Sequence, residues 1–434
     1  MSDSTKPNKA WNVLFERHHI LDEVNQKGCY VISANDIKKE HEPRLMSKFD
    51  HSINLPKIFR DNGLAILPIS RGDYVISKFD VYHTFETNTA PIQYFALPEY
   101  LQSINSENIT SETIAINAAY ASGILRDFLD DDELYSTVSG RMGSGEFSFN
   151  INGANNKIFP INVKNSQIEI DSAFEGIRYL SIIEAKRDLS DDFLIRQLYY
   201  PFRTWNSRGI SKKIKPVFLV YSNGIFSLYE YEFEDEMLYN SLKLVKSRRY
   251  SIENTEISID DIIELLGKIT FVEEPAIAFP QADKFERIIN LCEILSTQSF
   301  TREEVTQKYA FDVRQTNYYT DAAQYLGLVE KVKTGGPYKL TSEGQRILSL
   351  SYKKRQLAFC EKILQHKVFF EVLSQSLEQG SVIEKEAIVA TMRQNSLYKI
   401  NSDSTFERRA STIRSWIYWI FSLFQGKYEL QLNP

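Results

Sequence analysis

The sequence predicts an α/β (α+β) fold, a mixed β-sheet flanked by helices, followed by a mostly α-helical C-terminal region. Three observations carry that expectation. Between residues 112 and 231 a helical apolar pattern gives way to short alternating or apolar runs interrupted by one further helix. Beyond about residue 275, apolar residues return at helical spacing. With 434 residues, 43% hydrophobic and 25% charged, the chain exceeds one ordinary core and excludes a disordered or collagen-like polymer. These patterns divide it into residues 1–100, 101–275, 276–352 and 353–434.

The first hundred residues mix short helical and extended signals, punctuated at Asn62-Gly63 and Arg71-Gly72, with an extended run at Tyr74-Val75-Ile76. They read as a small α+β module and a candidate DNA-contacting part. From Glu112 to Leu129 the apolar spacing predicts one largely buried helix, with Thr110 or Ser111 available as its N-cap. A turn-rich stretch, residues 139–146, follows. The runs Phe147 to Ile151, Ile158 to Val163, Ile168 to Asp171 and Tyr179 to Ala185 predict strands. A helix covers about Asp191 to Tyr200, and strands from Pro216 to Tyr221 and Ile225 to Tyr231 flank a turn at Asn223-Gly224. The order α-β-β-β-α-β-β describes a central mixed sheet with helices against it.

In the next segment Phe285, Ile288, Ile289, Cys292 and Leu295 share one helix face. Thr301 with Glu304 and Asp312 with Gln315 form capping-box pairs for a second and third helix, the third ending at Leu326-Gly327. Two short extended runs around Gly335-Gly336-Pro337 follow. Three helices and a hairpin give the order of a winged helix-turn-helix, with the third helix as reader and the hairpin as wing. The last segment predicts a long helix from about Gln356 to Leu377, a shorter one from about Lys385 to Arg393, and a final helix capped by Ser404 and Glu407. It reads as a second winged-helix-like unit or a helical buttress.

Several classes drop out. Cys29, Cys292 and Cys360 are isolated, so neither a zinc ribbon nor a disulfide framework is expected, and a reducing compartment fits. The six histidines are scattered. No run approaches the length of a membrane span, and the first residues lack the apolar stretch of a secretory leader, so a cytoplasmic protein with no membrane partner is expected.

Chemistry concentrates in one place. Asp171 closes the run Ile168-Glu169-Ile170-Asp171, and Glu184-Ala185-Lys186 closes a second. Alternation along a strand puts Glu184 and Lys186 on one face and turns Ala185 inward. Paired as a hairpin, the two runs bring two carboxylates and an amine together. Two hard carboxylate oxygens and a backbone carbonyl suit Mg2+, and the amine suits a water or a phosphate oxygen. An ammonium beside two carboxylates keeps its charge, so orientation and electrostatics are its expected work. The same spacing also fits solvated charges on an outer hairpin; the flanking apolar runs and helices favour the site. Gln197 lies on the packed face of the following helix, where a buried amide needs a partner such as the lysine or a phosphate. Glu112 could reach the site from the first helix, and Glu175 from the hairpin connection.

These residues carry a resemblance. IEIDSAFEG (168–176), SIIEAKRD (181–188) and FLIRQLYYPFRTW (193–205) resemble the catalytic core of type II restriction endonucleases of the PD-(D/E)xK nuclease superfamily. DVRQTNYYTDAAQYLGLVE (312–330) resembles the winged-helix domain attached to such enzymes. The resemblance implies a restriction-endonuclease-like core, Asp171 and Glu184 as Mg2+ ligands, and Lys186 as the catalytic lysine. It further implies double-stranded DNA as substrate, 5′-phosphate and 3′-hydroxyl products, and a cognate DNA methyltransferase as system partner. Ile170 stands where the family has proline, a position that supplies no ligand.

Charge placement bears on DNA. The net charge of -6 disfavours a generic nucleic-acid binder. Residues 281–434 hold 21 Lys plus Arg against 17 Asp plus Glu, so the acidic excess lies in the earlier segments. Arg314, Gln315, Asn317 and Tyr318 cluster near the start of the reader helix, where bidentate hydrogen bonds to bases are made. Lys331, Lys333 and Lys339 on the wing suit phosphates, as do Arg408, Arg409 and Arg414 on the last helix. Arg141, in the glycine-rich stretch, and Arg196, beside Gln197, are further candidates. A homodimer or transient dimer is expected, since one active site per chain faces two DNA strands. A non-catalytic sequence-specific DNA-binding regulator and a structure-specific repair or recombination nuclease are the alternatives.

Overall fold

The apolar runs of the middle segment assemble into a seven-stranded mixed sheet. The computed structural model describes residues 6–106, 109–153, 157–253, 256–308, 313–333 and 335–424. In spatial order the strands are Ile92–Tyr94, Leu242–Ser251, Ile225–Phe233, Lys213–Ser222, Tyr179–Lys186, Gln167–Glu175 and Tyr135–Gly143. Neighbours pair antiparallel except Tyr179–Lys186 with Lys213–Ser222, and Ile92–Tyr94 with Leu242–Ser251. Parallel neighbours cannot be closed by a tight hairpin; the helix Arg196–Asn206 supplies the crossover of the first such pair. Lys213–Ser222 is buried along almost its whole length, as a central strand covered on both faces must be.

Alternation on the strand Tyr179–Lys186 sorts its side chains between two apolar layers. Leu180 and Ile182 pack with Leu198, Tyr199 and Tyr200 of the crossover helix. Ile183 and Ala185 pack with Ala115, Leu125 and Phe128 on the opposite face. Glu184 and Lys186 continue the parity of Leu180 and Ile182, which aims them toward the crossover helix.

Local structure departs from the sequence expectation at several points. The helix expected over 112–129 is two, Glu112–Ala121 and Ile124–Leu129, broken at Gly123 with φ 88°. Ser111 is its N-cap, accepting from Ile114 N at 3.2 Å. The stretch 139–146, expected as a turn, is mostly the edge strand Tyr135–Gly143, whose register shifts beside Val138 before Gly140 at φ 92°. Glu146–Asn152 and Ile158–Lys164 form a separate hairpin instead of joining the sheet. The helix expected from Asp191 begins at Arg196, because Asp192–Leu194 is a strand.

That short strand ties in the N-terminal module. The module packs two helices, Lys6–His18 and Ile20–Lys27, on a three-stranded sheet with Asp73–Ser77 at its centre. Trp11, Phe15 and Phe59 form its aromatic core. Tyr82–Thr84 pairs antiparallel with Asp192–Leu194, and Leu194 N donates to Asp50 O at 2.9 Å. The module is thereby fixed at the mouth of the crossover helix.

The C-terminal region is helical, as expected. Helices Phe285–Leu295, Arg302–Lys308 and Val313–Tyr325 precede a hairpin of Val329–Lys331 with Tyr338–Leu340. The Thr301–Glu304 capping box forms, with Thr301 N donating to Glu304 Oε2 at 2.7 Å and Glu304 N to Thr301 Oγ1 at 3.2 Å. Asp312 lies outside the described residues. In the tail, the single helix expected over 356–377 is two, Tyr352–Leu364 and Lys367–Gln379, separated at the extended His366. Lys385–Arg393 and Asp403–Phe424 follow. The tail has no hairpin among its described residues. Trp416 Nε1 donates to Ala282 O at 2.7 Å, and its ring meets Phe285 at 5.1 Å, so one apolar cluster runs through both segments.

Candidate active site

The two motif runs pair as an antiparallel hairpin, with Ile183 opposite Ser172 and Leu180 opposite Glu175. Asp171 lies in the middle of its strand, one step beyond the paired stretch. Ala185 N donates to Asp171 Oδ2 at 2.8 Å, which fixes that carboxylate beside the neighbouring strand. Lys186 Nζ donates to Glu184 Oε1 at 2.5 Å, as strand alternation requires of residues two apart. The far end of the hairpin is separate: Glu175 accepts from Lys212 at 2.6 Å, which takes it out of the site.

The crossover helix closes the group from above. Gln197 Nε2 donates to Glu184 Oε1 at 2.7 Å, so the partner of this amide is a carboxylate, in place of the lysine or phosphate expected. Gln197 Oε1 is buried and has no hydrogen-bond partner. Pro201, four residues on, has no N–H for the Gln197 carbonyl. Both donors fall on one oxygen of Glu184, which holds the carboxylate in a single orientation.

Crowding shapes the electrostatics. Burial raises the Glu184 carboxyl to about 7; Lys186 opposes that rise and Asp171 adds to it. Burial likewise raises Asp171, countered by Lys186 and the Ala185 amide, with Glu112 adding repulsion. Burial pulls Lys186 down, yet Glu184, Asp50 and Asp171 outweigh it and hold the ammonium above its ordinary range. The buried Glu184 and the half-buried Asp171 share one ammonium, and the ammonium stays charged.

Asp50 was not legible in the sequence, nor was its neighbour His51. His51 is buried with Nδ1 donating to Asp192 O at 2.5 Å and Nε2 lying 3.3 Å from Asp188 Oδ2. Burial disfavours its charge, but the hydrogen bonds and charges of Asp188 and Asp192 win and raise it to about 10. The imidazolium braces the segment just after Lys186 against the N-terminal module. No spacing signal could link residue 51 to residue 188; the adjacent Asp50-His51 pair was the only hint.

A cleft of about 490 Å3 opens over Asp171, Glu184, Lys186 and Gln197. Arg141 and Arg196 line it, the former pairing with Glu169 at 3.2 Å across two exposed side chains, the latter lying over the Tyr200 ring. Arg141 thus sits on a strand, not in a loop able to wrap a phosphate with its backbone. Tyr199 and Tyr200 are fully buried, and Arg203 is held by Glu236 O at 2.7 Å, so the stretch 199–205 is packing. In the C-terminal region Arg314, Lys331 and Lys333 are exposed, while Gln315, Asn317 and Tyr318 are part-buried. Burial pulls the Arg409 guanidinium below its ordinary range, and the neighbouring charge of Arg408 adds to that. Lys339 is paired with Glu330 at 3.0 Å and Arg414 with Glu384 at 3.3 Å.

The donor set suits a hard divalent cation. The buried Glu184 and the half-buried Asp171, which resist ionising side by side, gain from a cation between them, and the orphaned Gln197 Oε1 adds an unused acceptor close by. Among the described residues no group of three or more His, Cys, Asp or Glu gathers as a metal cluster. A two-carboxylate site completed by carbonyl and water is the arrangement Mg2+ ordinarily takes.

Comparison with protein families divides the chain in three. Residues 8–76 match a family described as Domain of unknown function (DUF6996), residues 77–251 one described as Domain of unknown function (DUF6997), and residues 287–425 one described as Domain of unknown function (DUF7226). No curated protein and no solved structure matches the chain.

Proposed function

We propose that this protein is a type II restriction endonuclease: a Mg2+-dependent, sequence-specific deoxyribonuclease that hydrolyses double-stranded DNA to 5′-phosphate and 3′-hydroxyl ends. The observation that carries this reading is the convergence of Asp171, Glu184, Lys186 and Gln197 at one open cleft. The order of helix, antiparallel hairpin, crossover helix and parallel strand around it supports a PD-(D/E)xK core. Three helices and a hairpin near the C-terminus support a winged-helix reader.

Asp171 and Glu184 are the residues that would hold Mg2+, with a backbone carbonyl and water completing its shell. When bound, the ion supplies charge neutralisation at the scissile phosphate and acidifies water. The chain's own residues do the rest. Lys186, kept charged by its neighbours, orients the attacking water and faces the negative charge that grows on the phosphate. It is too basic to take a proton near neutrality. Gln197 holds Glu184 in place, and Ala185 N holds Asp171. A cognate DNA methyltransferase belongs to the same system, and two chains pair to cut both strands.

Purified protein with Mg2+ is expected to cut phage DNA into discrete bands, while Asp171→Asn binds and does not cut. Sequencing the ends gives the site and the offset. Turnover on flaps or junctions alone replaces this reading with a repair nuclease; sequence-specific retention without cutting in any divalent metal replaces it with a DNA-binding regulator.

A further inference from the structure

The cleft is not walled by the catalytic sheet alone. Its opposite side is the N-terminal module, through Arg44, Lys48, Arg71 and Tyr74. Arg44 lies on the short helix Pro43–Ser47 and Arg71 in the connection before the strand Asp73–Ser77. Arg71 crosses to the sheet: its Nη2 is 3.9 Å from where a Cβ on Gly143 of the edge strand would stand.

Counting both walls, the cleft lining holds six cations, Arg44, Lys48, Arg71, Arg141, Lys186 and Arg196, against Asp50, Glu169, Asp171 and Glu184. That local excess stands in a chain of net charge -6. Three of the four carboxylates already face a cation. Glu169 pairs with Arg141, Glu184 with Lys186, and Asp50 lies 3.6 Å from Lys48. Arg44, Lys48 and Arg71 are exposed, and neither Arg44 nor Arg71 has a carboxylate partner among the described residues. Exposed guanidinium groups are ordinarily solvated, but these stand across a cleft from a phosphodiester-hydrolysing constellation, where a planar donor fork meets phosphate oxygens bidentately.

We propose that Arg44, Lys48 and Arg71 are backbone-phosphate contacts, and that the N-terminal module is a jaw closing duplex DNA against Asp171 and Glu184. This rests on the nuclease reading of the same cleft. The contacts position the scissile strand and carry no sequence information, which stays with the C-terminal reader. The module's attachment through Leu194 N to Asp50 O gives the jaw a fixed register relative to the crossover helix.

The test uses full-length protein without metal and a fluorescein-labelled duplex, with anisotropy titrations from low to moderate salt. The triple variant Arg44→Gln/Lys48→Gln/Arg71→Gln is expected to bind at least tenfold more weakly. Its slope of log affinity against log salt should flatten by about 0.9 per lost contact, roughly 2.7 for three. A charge-matched triple at Lys9, Lys38 and Lys268, which do not line the cleft, should keep the wild-type slope. Circular dichroism verifies that both variants fold. A folded cleft variant with the wild-type slope, or equal flattening in both triples, overturns the jaw. Wild-type protein that cuts DNA while the cleft triple keeps its slope overturns the jaw alone; wild-type protein that neither binds nor cuts removes the nuclease reading and the jaw with it.

Discussion

Asn290 grips the chain just past Lys186: its Nδ2 donates to Arg187 O at 2.7 Å, and its Oδ1 accepts from Leu189 N at 3.2 Å. Asn290 is fully buried on the first helix of the C-terminal region. The grip belongs to a larger polar seam. Asn290 also donates to Ser222 Oγ at 3.0 Å; Ser222 Oγ donates to Glu293 Oε2 at 2.7 Å, and Asn223 exchanges hydrogen bonds with Gln356 at 2.8 and 3.0 Å. The helices Phe285–Leu295 and Tyr352–Leu364 are therefore bolted to the sheet beside the Lys186 strand by satisfied buried groups, which are costly to break.

Asn290→Ala should cost about 1–3 kcal/mol of stability, the penalty for stranding a buried amide and a buried carbonyl. Because the freed segment follows Lys186 directly, cleavage should fall more than DNA binding does. Thermal unfolding beside paired cleavage and anisotropy assays checks this; equal losses in both assays would assign Asn290 to stability alone.

His51 should titrate far from its usual range. Its folded pKa, about 10, exceeds the ordinary 6.5, so its contribution to stability is fully present below about 6.5 and is lost as pH rises through about 10. His51→Leu leaves the part-buried Asp188 and Asp192 without their cation and should cost about 3 kcal/mol at neutral pH, the low end for breaking a buried pair. An imidazole NMR titration reads the first point, and denaturant unfolding of the variant the second. A His51 resonance moving near 6.5 would dissolve the proposed brace.

What was legible in the sequence follows from which forces act locally. Glu184 and Lys186 could be put on one face because alternation along a strand is a two-residue rule, and the apolar runs announced the strand. The edge strand Tyr135–Gly143 escaped notice because it is mostly exposed, so no apolar alternation marks it, and its glycines read as a turn. Leu242–Ser251 is equally polar and was missed for the same reason. Helical periodicity ran unbroken through Gly123 and His366, hiding two breaks that backbone geometry makes. Asp50 and Arg71 reach the cleft, and His51 reaches Asp188, only through tertiary docking of segments far apart in the chain, which no local pattern encodes.

Gln197 holds the Glu184 carboxylate, which on the nuclease reading makes it a positioning residue. Gln197→Ala should leave Asp171, Glu184 and Lys186 in place yet release one hold on the Glu184 carboxylate. Losses of about 10–100-fold in activity are typical when such a supporting hydrogen bond is removed. The Mg2+ concentration for half-maximal cutting should rise, while metal-free DNA binding is unchanged. Gln197→Glu, adding a third carboxylate, should be worse than alanine; an unchanged metal requirement in both variants would deny Gln197 this role.

The C-terminal cations divide by where they stand. Arg314 is exposed near the start of the third helix, where a winged-helix reader would meet base edges, whereas Lys333 is exposed in the turn of the hairpin, where a wing would meet phosphates. Arg314→Ala should cost about 1–3 kcal/mol on the cognate site and relax preference at one base pair. Lys333→Gln should weaken all sequences alike and lower the salt slope by about 0.9, with specificity kept. Competition binding of metal-free protein to a duplex library separates the two, since one variant changes the ranking of sequences and the other only their common offset. If Arg314→Ala shifts only the offset, the third helix is not the reader, and the bases are read elsewhere.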